Sequence, residues 1–182
     1  CFMFRQLCFL AIGLCALVTT TSVSAQSWKS AGSKAAGYYS EYHGHSSHSH
    51  LYGAQSHVRH YSNYLSTTTT VDPSVARMAY DSIGNHLNKT QQHLGQMKNQ
   101  LSAHKNKKGV ESLSEVEGHL QDARLHHADL NKITIQRPID SKAAKSTVDS
   151  LQLSIEKAIA GHASLLESLG IKKPTNEADK SK

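Results

Sequence analysis

From Leu51 onward, apolar residues recur every three or four positions, the spacing that places them on one face of an α-helix. Leu51, Ala54, Val58, Tyr61 and Leu65 mark a short first helix, which the run "STTTTVDP" interrupts. Asp72 followed by Pro73 is a helix start, a capping side chain ahead of a proline at the first helical position. Tyr80, Ile83, Leu87, Thr90, Leu94, Met97 and Leu101 carry a second stripe up to "HKNKKG". Ser112-x-x-Glu115 fits a capping box and predicts the opening of a third helix with the stripe Leu113, Val116, Leu120, Ala123, His127 and Leu130. "QRPID" ends it, and Asp140 or Ser141 caps a fourth: Ala144, Val148, Leu151, Ile155, Ala158, His162, Leu165 and Leu169. Gly170, with Lys172, Lys173 and Pro174 beyond it, is the stop.

Four amphipathic helices with short connections and no alternating strand pattern predict an all-α fold, an antiparallel four-helix bundle over residues 50–170. Residues 26–49 are rich in Ser, Gly, Tyr and His without periodicity, which predicts a disordered arm. Residues 171–182 read as a disordered polar tail. The first 25 residues read as a secretory signal peptide: Arg5, an apolar run from Leu7 to Val18, then Val23-Ser24-Ala25 as a cleavage site after Ala25. That run is short of the roughly 20 residues a membrane span needs. The expected location is therefore secreted or periplasmic.

Composition narrows the chemistry. All three cysteines lie in the leader, so the processed chain has none for disulfides, thiolate sites or covalent haem. The whole chain is +6; without Arg5 it is +5, with both signs mixed along the helices, which gives no nucleic-acid footprint. Six of seven tyrosines fall between Tyr38 and Tyr64, and all three phenylalanines lie in the leader, so the core is aliphatic.

The 13 histidines are ordered along the chain. Three helices each carry a pair seven apart: His50 and His57, His86 and His93, His119 and His126. Each precedes a stripe position, which makes all six g positions of a heptad, at the border of core and water. Seven residues rise about 10.5 Å, too far for one metal ion to join both members of a pair. Partners must come from facing helices. In an antiparallel hairpin, residues at equal height share a midpoint at the turn. His86 with His126, and His93 with His119, share a midpoint at residue 106, inside "HKNKKG". His57 with His86, and His50 with His93, meet between residues 71 and 72, inside "TTTTVDP". Two levels follow: His57, His86 and His126; and His50, His93 and His119. The second and third helices are the favoured pair. His127, beside His126, is an alternative ligand, and His57-x-x-His60 a local one. His43, His45 and His48 belong to the arm.

Imidazoles without thiolates suit Cu(II), Zn or Ni. Glu-x-x-His pairs of di-iron bundles, H-E-x-x-H and C-x-x-C-H are all missing, as is a nucleophile elbow, so an enzyme is not expected. Met97 falls near the height of His162, which admits non-covalent haem as a minor reading; otherwise a stripe histidine such as His162 is a hydrogen-bonded core residue. The leading expectation is an exported bundle that binds a transition metal through these histidines and the arm. The alternative is a metal-free structural or interaction bundle contacting a protein or envelope partner.

Overall fold

The structure, a computed structural model, describes residues 25–172, with side chains described from Ser40 on. Residues 1–24 of the expected leader and residues 173–182 of the expected polar tail lie outside the described residues. Four helices and no strand make up the described residues: α1 Ala25–Thr67, α2 Pro73–Ala103, α3 Lys107–Thr134 and α4 Ser141–Ser168. Contacts join α1 to α2, α2 to α3, α3 to α4 and α4 to α1, with none across the diagonals, so the helices stand in a square in chain order. No helix among the described residues is long and apolar enough to cross a membrane.

The stripes form the core. Leu51, Ala54 and Val58 of α1, Ile83, Leu87 and Leu94 of α2, Val116, Leu120 and Leu130 of α3, and Val148, Leu151 and Ile155 of α4 share one buried cluster. A second cluster of Met97, Leu101, Leu113, Leu165 and Leu166 closes the other end. Each Val, Leu, Ile or Met side chain among these contributes roughly 1.5–3 kcal/mol of burial. The helices are capped as their sequence requires. Asp72 accepts from the backbone N–H of Ser74 at 2.7 Å, while its own N–H donates to the Tyr64 hydroxyl at 2.8 Å. Asp140 accepts from Lys142 and Ala143 at 2.9 and 3.0 Å. Asp140→Ala leaves those two amides without their partner and is expected to lower stability by about 1 kcal/mol, read as a shift in the urea midpoint. Gly170, at φ 69°, ends α4; its own N–H returns to Glu167 O, and the N–H of Ile171 to Leu166 O.

Two boundaries differ from the expectation. The third helix opens five residues before Ser112, because Asn106 is its cap and accepts from Gly109 N–H at 2.9 Å. The larger correction concerns α1, which is a 43-residue helix and not a short one. The stretch 40–49, expected to be disordered arm, is helical and packed: Gly44, Ser47 and His48 are buried. The buried face does continue upstream of Leu51, but in small and polar residues that hydrophobic periodicity does not register. Gly44 lies so close to Leu166 that a Cβ there would stand 2.6 Å from Leu166 Cδ2.

Candidate functional site

Where α1 meets α2, five histidines interleave. His43, His50 and His57 project from successive heptads of α1, and His86 and His93 from α2. Nδ1 of His43 lies 3.1 Å from Nδ1 of His93, and Nδ1 of His50 lies 3.3 Å from Nδ1 of His86. The rings also meet across the other diagonal: His50 and His93 centroids are 5.6 Å apart and nearly parallel, and His57 and His86 are 5.3 Å apart. Each ring in the middle therefore touches two across the seam, in the order His43, His93, His50, His86, His57. Tyr42 caps the upper end, edge-on to His43 at 5.1 Å and to His93 at 6.1 Å.

Packing at one glycine makes room for this ladder. A Cβ on Gly53 would collide with the His86 ring, standing 2.6 Å from Nδ1. Burial disfavours a charge on four of the five rings. Burial lowers the pKa of His43, His50, His86 and His93 below the ordinary histidine value, and the neighbouring imidazoles and Lys89 add repulsion to any charged form of His50 and His86. A neutral imidazole carries one N–H donor and one bare nitrogen. One ring of each close pair can thus donate to the other, or both can turn lone pairs on one cation.

The pair distances bear on that second possibility. Two ligands about 2.0–2.1 Å from one metal, at an angle of about 90–110°, stand about 2.8–3.4 Å apart. Both Nδ1–Nδ1 separations fall inside that interval. The pairs supply two ligands each: among the described residues no group of three or more His, Asp or Glu is arranged to hold a metal ion. The three-helix levels expected from the spacing are replaced by this two-helix seam. His86 and His93 face α1, and no ring contact among the described residues links them to His119 or His126. On the α3 side of α2, Arg124 bonds Asn88 and Gln91, and Lys98 pairs with Glu117.

His127 is engaged elsewhere. Its Nε2–H donates to Tyr80 O at 2.8 Å, its ring stacks on Tyr80 at 4.0 Å, and Gly84 gives it space. Burial lowers its pKa. His45 lies 3.7 Å from Glu41, one turn away on α1. His162 is a core histidine with no exposed surface. Its Nε2 lies 2.7 Å from Ser47 Oγ and its Nδ1 3.3 Å from Nδ1 of His48. One arrangement satisfies these atoms together. Nε2–H donates to Ser47, whose hydroxyl donates to the carbonyl of His43 or Gly44, and His48 donates to the bare Nδ1. Burial first, then His48 and His45, press the pKa of His162 down to about 3. With both its nitrogens engaged, His162 has none left for an iron, and Met97 packs into the aliphatic cluster with Leu165 and Leu166.

Sequence spacing had pointed to His50, His57, His86 and His93. It missed that His43 continues the α1 series one heptad upstream, a signal that was legible as a third step of seven. No protein-family model, no curated protein and no solved structure matches this chain.

Proposed function

We infer that the protein is an exported helical bundle that binds a transition metal ion, Cu(II), Zn(II) or Ni(II), on the histidine ladder between α1 and α2. The observation that carries this reading is the pair of Nδ1–Nδ1 separations of 3.1 and 3.3 Å, which suit two ligands of one ion. Water completes the coordination at each pair, so the ions exchange readily. Neutral rings favour it as well, because protons do not compete for the lone pairs near pH 7. Export rests on the leader sequence, and an oxidising compartment suits a site with no thiolate.

Titration of each metal into the full chain, in a Cys1→Ser/Cys8→Ser/Cys15→Ser background, tests the reading. At a hundred times the dissociation constant, a bound ion raises stability by about 2.7 kcal/mol. Replacing His50 and His86 by Ala is expected to weaken binding by about tenfold or more, and replacing His119 and His126 to leave it unchanged. Equal loss in both variants, or no metal-induced rise in stability, would sink the reading. The latter result favours the second reading, a metal-free interaction bundle whose imidazoles hydrogen-bond only to one another, for which the two-ligand limit of each pair speaks.

A further inference from the structure

The lower end of the ladder opens into a cavity of about 240 Å³ between α1 and the first turns of α2, and its walls differ in kind from the rest of the seam. His57, the last ladder residue, lines it together with His60, one helical turn further along α1. Opposite them stands Met78, a large hydrophobic residue that is 64% exposed. Tyr61 and Tyr64 form the floor, stacked 6.1 Å apart. The Tyr61 hydroxyl is buried and without a hydrogen-bond partner among the described residues. Ordinary packing does not call for this combination. A thioether on a flexible stem shares one cavity with two imidazoles that sit three residues apart on one helix face.

We propose that this cavity is a copper(I) site, with the imidazoles of His57 and His60 and the thioether of Met78 as ligands. The ion is chosen by the donor set. Thioether sulfur is a soft ligand that selects Cu(I), whereas Zn(II) and Ni(II) gain little from it over imidazole or water. Cu(I) is satisfied by few ligands, so two nitrogens and one sulfur suffice without a carboxylate. The proposal rests on the ladder reading in one respect, the shared residue His57. The cavity's own affinity stands on His60 and Met78, which the ladder does not use.

Cu(I) is supplied without oxygen from its bicinchoninate complex to the full chain in the Cys1→Ser/Cys8→Ser/Cys15→Ser background. Met78→Leu keeps the volume nearly unchanged. It is expected to lower Cu(I) affinity on the order of tenfold and to leave Zn(II) affinity as it was. His60→Ala is expected to do the same. In a background that also carries Met3→Leu, the X-ray absorption spectrum of the Cu(I)-loaded protein is expected to show a sulfur neighbour that Met78→Leu removes, since Met97, the third methionine of the chain, is fully buried. Unchanged Cu(I) affinity in Met78→Leu, or a sulfur signal that survives it, overturns the proposal. The two readings fail separately. His50→Ala/His86→Ala tests the ladder with Zn(II), and a Cu(I) site that persists there while Zn(II) binding never occurred leaves the cavity standing alone.

Discussion

Between pH 8 and pH 4 the bundle is expected to lose about 3 kcal/mol of stability through His162 alone, and a His162→Leu variant is expected to escape that share. In the folded chain this ring titrates at about 3, against an ordinary value of 6.5. The unfolded chain therefore takes up a proton first as pH falls. The contribution of the neutral buried ring is complete above about pH 6.5, and it is lost progressively down to about pH 3. Structure explains the cost of the proton. A charged His162 would carry N–H on both nitrogens, would turn one of them against the Nδ1–H of His48, and would have no water to solvate it. His45 is the other titratable group that acts on it, and Glu41 lies 3.7 Å from His45. Leucine removes the titrating group and fills most of the space, and Ser47 keeps its bonds to backbone carbonyls. At pH 7 the variant should thus lose about 1–3 kcal/mol against wild type, the cost of the two buried hydrogen bonds that go with the ring. Urea unfolding at a series of pH values checks this. The ladder rings, lowered in the same direction, leave a residual slope in the variant. A slope identical to that of wild type would show that His162 does not dominate acid lability.

Replacing Gly53 by Ala is expected to destabilise the bundle by about 1–2 kcal/mol, although alanine is the better helix former. Overpacking a filled site costs roughly 1–3 kcal/mol, and the intrinsic gain from Gly to Ala returns up to about 1 kcal/mol. Here the added methyl meets the His86 ring, and His86 cannot retreat without leaving both His50 and His57. Gly95 on α2 is the matched control. Nothing lies within 4 Å of a Cβ there, so Gly95→Ala should stabilise by up to about 1 kcal/mol. Opposite signs in the two urea midpoints are the expected result. If both variants gain stability, the His86 ring is not seated over Gly53.

The helix faces were legible because Leu, Ile and Val carry them, and the turns because Asp72, Pro73 and Asp140 announce starts through their own hydrogen bonds. The upper half of α1 was not legible, since there the buried face is written in Gly44, Ser47 and His48, residues equally common in loops. The start of α3 was misplaced because Asn106 and Ser112 are both competent caps, and only the tightness of the turn from Ala103 selects the first. For the candidate site, index arithmetic fixed height along the bundle but not direction around a helix. That is why α3, with His119 and His126, was the favoured partner of α2 ahead of α1, with His50 and His57. A g residue of α2 turns toward one neighbour only, and the neighbour is α1. The slot at Gly53 was not visible, because the histidine that fills it stands more than thirty residues away.

A seam of identical neutral rings at seven-residue intervals has no means of its own to count. Sliding α1 by one heptad would bring histidine against histidine again, with no clash of charge to report the error. Gly53 does the counting. One heptad either way, His86 would meet Ser46 or His60, and both carry the side-chain atoms its ring cannot overlap. Coiled-coil pairs commonly fix their alignment with one buried polar residue at a core position. In this bundle a missing side chain at the edge of the core takes that part, and the sliding of α1 against α2 is stopped by shape where charge is silent.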